Sequence, residues 1–227
     1  MSNERNDSSY DLVQSILGAL GVSRPRLRYQ KTIDLIAIQP LLPDLRKLTE
    51  LIEQKSYGEN YSNIIFGYLI ERLSDRNNDL RESSAYLVGR IGNSIVTPHL
   101  IARLQVEKQI NVKIRLIEAL GMLKAKEARP LILNSLNDRN WKIRRSAIEA
   151  LEEIGDPNIG NILIKIVRND KEPFVRAAAA SVIGRNGSQQ WNRELSEIFE
   201  NERDEEVKLC IAEALNNLGN PRLLKIY

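Results

Sequence analysis

The 227-residue chain contains one cysteine, Cys210, and one histidine, His99. A lone cysteine cannot form an internal disulfide, and a zinc or iron centre needs several His, Cys or carboxylate ligands converging on one point. Aromatic residues make up only 5% of the chain, which is sparse for a ring-lined substrate pocket or a base-stacking platform. No apolar run approaches the ~20 residues of a membrane-spanning helix. The polar, mixed-charge opening "MSNERNDSSYDLVQ" is unlike a secretory leader. A soluble, cytoplasmic protein is expected. Charge of one sign is also missing: 33 basic residues against 30 acidic ones give a net charge of +3. That balance suits a salt-bridged surface and argues against a nucleic-acid footprint. Finally, there is no Gly-rich phosphate loop, because "GRIGN" and "GRNG" close helical periods and follow no strand.

What the chain does contain is a repeat. The stretch "DRNWKIRRSAIEALEEIG" at 138–155 has four counterparts, beginning at Asp75, Glu107, Asp170 and Glu202, with a period of 31–32 residues. Each begins with an acid followed by a base. Six residues after the acid stands a second base, always behind an apolar residue: Arg81, Lys113, Arg144, Arg176 and Lys208, preceded by Leu80, Val112, Ile143, Val175 and Val207. Small or apolar residues then recur at helical spacing, as in Ala147, Ile148, Leu151 and Ile154, which is one buried helical stripe. Gly92, Gly155, Gly187 and Gly219 close the helix where a left-handed cap favours glycine; only Lys124 departs from that column. A second amphipathic run precedes each acid, for example "PHLIARLQVE" and "GNILIKIVRN". Every copy therefore reads as helix, short turn, helix. One such hairpin cannot bury its apolar face alone, and stacking makes the core continuous.

The turn acids, the apolar-basic pairs and endings such as "ALEEIG" and "ALNNLG" resemble HEAT repeats, in particular the short bacterial form known from phycobilisome lyases. The resemblance covers about residues 61–219. It implies an all-α fold: an α-solenoid of about five HEAT-like hairpins with an inner, concave surface. It implies no reaction by itself. It also implies that Asp75, Glu107, Asp138, Asp170 and Glu202 form, with Arg81, Lys113, Arg144, Arg176 and Lys208, a structural ladder of hydrogen-bonded ion pairs along the inter-helix turns. Residues 1–60 fit the repeat poorly and read as a degenerate helical N-terminal cap, with equal numbers of acids and bases around the local run Arg24, Arg26, Arg28 and Lys31. Residues 220–227 read as a C-terminal capping segment in which Leu223, Leu224 and Ile226 seal the last repeat.

No catalytic constellation emerges. His99, beside Pro98 at a helix start, lacks the paired His-Glu motifs of di-iron HEAT-like hydroxylases, since Leu100 follows it. Cys210 lacks a neighbouring histidine to lower its pKa, and Lys208 points elsewhere on the helix, so an inert thiol is expected. Trp141 and Trp191 fall in different columns, which argues against the aromatic cleft of a DNA-glycosylase solenoid.

Function must then lie on a surface. In such solenoids the second helices line the concave side, and the partner-binding candidates outside their buried stripe are Tyr86, Arg90, Arg115, Glu118, Trp141, Arg145, Glu149 and Arg185. Trp141 reads either as an interface anchor or as packing across the turn onto the next repeat. Two functions fit. The first is a non-enzymatic scaffold or adaptor that holds a protein partner without any cofactor. The second is a bilin-binding protein related to phycobilin lyases or phycobilisome-degradation factors. In that case arginines would grip the propionates of a phycobilin, and the partner would be a phycobiliprotein or a second HEAT-like subunit.

Overall fold

In the computed structural model of the chain, residues 67, 69–92, 94–155, 159–186 and 188–220 are described. The N-terminal cap read at 1–60, the closing segment 221–227 and Gly187 lie outside them. All regular structure among the described residues is helical. The chain divides into two compact units, Met1–Ile91 and Gly92–Tyr227.

In the first unit, residues 69–72 are helical and lead through Asp75 into α1 (Asn78–Ile91). Asp75 closes that turn: its carboxylate accepts the Asn77 N–H at 2.9 Å and the Arg72 guanidinium at 2.7 Å. Arg81 reaches back to the Asp75 carbonyl at 2.8 Å. Leu69, Leu73, Leu87 and Val88 are buried.

The second unit is an α-solenoid of four helical hairpins: α2 (Thr97–Val106) with α3 (Ile110–Met122), α4 (Arg129–Ser135) with α5 (Trp141–Ile154), α6 (Ile159–Asn169) with α7 (Pro173–Asn186), and α8 (Asn192–Asn201) with α9 (Glu205–Asn217). The helices begin where the sequence supplies a device for them. Pro98 and Pro130 occupy first-turn positions of α2 and α4, where no N–H is needed. Asn140 caps α5 by accepting the Lys142 N–H, and Asp204 caps α9 by accepting the Val207 N–H. The second helices α3, α5, α7 and α9 stack in a row, each also packed on its own first helix. Their shared stripe forms the core: Val112, Leu116, Leu120, Ile143, Ala147, Leu151, Val175, Ala179, Val207, Ile211 and Leu215 are all buried. Each large side chain in that list contributes about 1.5–3 kcal/mol of burial.

The row is not evenly spaced. A Cβ placed on Gly121 of α3 would lie 2.9 Å from the Ala150 Cα of α5, and one on Gly184 of α7 would lie 2.7 Å from the Ala214 Cα of α9. Glycine is required there because the facing helix backbone leaves no room for a side chain. At the junction between those two close pairs, the same register is held by Glu152 on α5 and Val182 on α7, and α5 meets α7 less extensively than the other neighbours meet. Glu152 and Val182 line a cavity of about 280 Å³ there, walled on its far side by Trp191.

The closing glycines take the left-handed conformation, with φ of 61° at Gly92, 76° at Gly155 and 84° at Gly219. Lys124, the departure from that column, keeps the same backbone at φ 51°. Its N–H donates to the Gly121 carbonyl and the Ala125 N–H to the Leu120 carbonyl, so the cap is complete without glycine. A side chain in this region costs about 1–2 kcal/mol, offset in part by the freedom glycine has in the unfolded chain. The Lys124 side chain is exposed. Lys124→Gly is therefore expected to raise stability by about 0.5–1 kcal/mol, seen as a higher urea midpoint at unchanged slope; a lower midpoint would refute the argument.

Candidate functional site: the second-helix face

The repeated acids and bases assemble between hairpins as well as within them. The arginines of the second unit donate backwards to the carbonyl that opens their own turn: Arg144 to Asp138 at 3.0 Å and Arg176 to Asp170 at 2.9 Å. The remaining nitrogens reach forward to the acid of the next hairpin. Arg144 binds both carboxylate oxygens of Asp170 at 2.8 and 2.7 Å, and Arg176 both of Glu202 at 2.8 and 2.9 Å. Lys113 reaches Asp138 with a single contact of 3.1 Å. Each acid also tightens its own turn by accepting the N–H two residues on, as Gln109 donates to Glu107, Asn140 to Asp138, Glu172 to Asp170 and Asp204 to Glu202. Glu107 further holds Arg103 through two contacts of 2.9 and 2.6 Å. Lys208 lies 3.5 Å from Glu205 in its own helix.

This arrangement fixes how the ladder titrates. Burial pushes the Asp170 carboxyl up, but the Arg144 guanidinium, the Glu172 N–H and the Arg176 charge outweigh it and hold the group below its ordinary 3.8. Burial likewise raises Glu202 and is outweighed by Arg176 and by the N–H groups of Asp204 and Arg203, leaving it below 4.5. Asp138 follows the same pattern, with Asn140 and Lys113 as the main opposing partners. Depressed carboxylates stabilise the fold fully above their unfolded pKa values and lose that contribution as pH falls through the folded ones. Thermal stability should therefore hold from neutrality to just above 4.5 and fall steeply below 3.8. Far-UV circular dichroism melts across that range test this, and a flat profile down to pH 3 would contradict the ladder's contribution.

Outside the ladder and the buried stripe, the second helices carry a further set of accessible side chains. Arg145 and Glu149 of α5, Phe174, Ala178 and Arg185 of α7, and Cys210 of α9 line one groove of about 230 Å³. Arg145 is paired with Glu149 at 3.0 Å, while Arg185 holds both oxygens of Glu152 at 2.8 and 2.7 Å. Trp141, at the edge of this face, stacks on Phe174 of the next hairpin with ring centroids 5.2 Å apart, and the Lys142 ammonium lies 5.8 Å from the Trp141 ring. It thus packs across the turn while remaining partly exposed, and Phe174 is 48% exposed. On α3, Arg115 and Glu118 form a further pair at 2.9 Å, and Ile110 and Met122 are exposed. Tyr86 and Arg90 sit one turn apart on the exposed side of α1 in the other unit.

The groove thus brings together three of the sequence-selected residues, Arg145, Glu149 and Arg185, and places Trp141 beside them through Phe174. Phe174 itself escaped the sequence reading. Proline occupies the Trp141 column in that repeat, at position 173, and shifts the aromatic by one place. Cys210 is half-buried; burial pushes its thiol up, a hydrogen bond with Ser181 opposes this without outweighing it, and the Glu213 and Glu206 charges add to the rise. A thiol held neutral in this way is a poor nucleophile. His99 is exposed on α2, away from these residues in sequence and register. Among the described residues no three His, Cys, Asp or Glu side chains are grouped to hold a metal ion, and no helix is long and apolar enough to cross a membrane.

Comparison with known proteins fits this architecture. The family model for HEAT repeats matches residues 97–159 and 160–226, each block spanning two hairpins. An uncharacterized protein from the gldA 3′ region of Geobacillus stearothermophilus is 41% identical over 76 residues, which are 34% of this chain and 35% of that protein. Epoxyqueuosine reductase of Bacillus subtilis (strain 168) is 36% identical over 76 residues, 34% of this chain and 20% of the enzyme. The chain thus spans about a third and a fifth of the length of these two relatives. Among solved structures, an engineered protein aligns with a TM-score of 0.54 at 15% identity, covering 86% of this chain and 98% of its own, which is a likeness of fold.

Proposed function

Because this chain belongs to the HEAT-repeat family, we propose that it is a non-enzymatic scaffold that holds a protein partner against the second-helix face. HEAT repeats typically mediate protein interactions, and a rigid array offers a surface that costs little conformational entropy on binding. The observation that carries the reading is the groove itself: charged side chains and exposed Phe174 meet there at a fixed register, outside both core and ladder. The mechanism is one of shape and charge, and it requires no cofactor. A bilin would ask for arginine and aromatic groups inside one enclosed pocket. In the groove of about 230 Å³, Arg145 and Arg185 are already engaged by Glu149 and Glu152, which favours a protein over the propionates of a tetrapyrrole.

Affinity capture from lysate of the source cells tests this, using the full chain, a face variant (Trp141→Ala with Arg145→Ala) and a variant on the first-helix side (Arg193→Ala). A discrete partner retained by the first-helix variant and lost by the face variant is the expected result. A partner lost equally from both variants, or from neither, would move the binding surface elsewhere.

A further inference from the structure

We infer that the groove between α5, α7 and α9 receives a protein segment that presents an apolar side chain flanked by lysine or arginine; this rests on the scaffold reading and specifies the partner's chemistry.

The floor of the groove is apolar. Ala177 and Ala178 lie at its base and Phe174, 48% exposed, forms one wall. Leu209, adjacent to the lining residue Cys210 on α9, is 44% exposed. An apolar side chain seated there removes ring and methyl surface from water.

The charges around that floor do not cancel. The cations are already engaged: Arg145 with Glu149 at 3.0 Å, Arg185 with Glu152 at 2.7 Å, Lys142 over the Trp141 ring, and Lys208 with Glu205 at 3.5 Å. Two carboxylates on α9 have no ion-pair partner among the described residues. Glu206 lines the groove, and Glu213 shares the register of the lining residues Glu149 and Ser181. Both are exposed, and both charges are felt at the Cys210 thiol on the groove wall. Glu153 on α5 is a third exposed carboxylate, close enough to act on Arg185. The rim is therefore negative although the whole chain carries +3. A cationic segment is thus attracted at this rim in spite of the chain's net positive charge. An acidic segment would meet unneutralised like charge, which disfavours it. The apolar floor separates this surface from a merely solvated acidic edge, since a hydrated rim has no need of an exposed Phe174.

Two short fluorescent peptides test the inference. They share one order of leucines and differ only in whether the intervening positions are lysine or glutamate. Binding is read by fluorescence anisotropy with the full chain at low and at physiological salt. The lysine peptide should bind and the glutamate peptide should not. Glu206→Gln with Glu213→Gln should weaken the lysine peptide by about tenfold, roughly what two partly screened charge contacts provide. Phe174→Ser should weaken it at both salt concentrations, because the apolar contact is not screened. Glu127→Gln with Glu200→Gln, equal in charge change and on other surfaces, should leave it unchanged; circular dichroism confirms that each variant is folded. Equal weakening by the two glutamate pairs, or tighter binding of the glutamate peptide, overturns the inference. If neither peptide binds while lysate capture still yields a partner through the second-helix face, the scaffold reading stands and this assignment of partner chemistry falls.

Discussion

Arg144→Ala should lower the folding free energy by about 3–5 kcal/mol, the usual cost of removing one member of a buried ion pair. The guanidinium and the Asp170 carboxylate are only 8% and 11% exposed, so water cannot replace the lost partner. The substitution also releases the Asp138 and Arg139 carbonyls, which the same side chain caps at 3.0 and 3.3 Å. Arg144→Lys should recover only part of the loss, because an ammonium cannot match two carboxylate oxygens and a carbonyl at once. Lys113→Ala provides the contrast. Its pair with Asp138 is 27% and 23% exposed and rests on one contact, so its removal should cost about 1 kcal/mol or less. Urea denaturation of the three variants measures the ranking. A loss below that of Lys113→Ala at the Arg144 position would show that the ladder is ornamental to stability. Adding Asp170→Asn to Arg144→Ala should restore part of the deficit, since it removes the stranded charge.

Gly184→Ala is expected to destabilise although alanine is the better helix former. Intrinsic propensity favours alanine by about 1 kcal/mol in a helix interior. Against this, the new Cβ would sit 2.7 Å from the Ala214 Cα and 2.9 Å from its Cβ, and overpacking of this kind costs typically about 1–3 kcal/mol. The opposing atom is helix backbone, which cannot rotate aside, so the clash prevails and α7 must move away from α9. Gly184→Val should cost more still. Ala214→Gly placed on Gly184→Ala should give back only part, because the clash with the α9 backbone persists when the alanine methyl is removed. At Gly121 the approach to Ala150 is 2.9 Å, and the same substitution should cost less. Thermal melts of the four variants decide the matter, and a stabilised Gly184→Ala would refute the close approach.

Most of the fold is legible in the sequence because a fixed period exposes it. The hairpins, their buried stripe and the closing caps each occupy a column, and columns can be checked against one another. The direction of the ladder is not legible in that way. Asp138 and Arg144 are six residues apart, while Arg144 and Asp170 are 26 apart. The short spacing recurs in every repeat and the long one, 25 or 26 residues, between successive repeats, and only the stacking of the hairpins decides that the carboxylate contact is the longer one. Lys124 reads in the sequence as a departure from the glycine column, yet its backbone is that of glycine at φ 51°; the cap hydrogen bonds hold it there, and hydrogen bonds leave no trace in residue identity. The groove was legible only in part. Arg145, Glu149 and Arg185 follow from register, but Phe174 sits one place off its column because Pro173 takes the first position of α7.

The uneven stacking of the second helices also bears on modularity. Glycine meets alanine between α3 and α5 and again between α7 and α9, whereas glutamate faces valine in between. Within the second unit a close junction thus falls inside each of the family's two matched blocks, and the looser one lies between them. A single hairpin is not an interchangeable part of this protein. Excising α4 and α5 would set Gly121 opposite Val182, so that a surface shaped for direct backbone approach met a branched side chain. Excising α4 to α7 together would instead set Gly121 opposite Ala214, glycine against alanine as at the two close junctions. Shortening this array should thus be tolerated better by loss of the two middle hairpins together than by loss of one, and it removes the looser joint that Glu152 and Arg185 bridge at the rim.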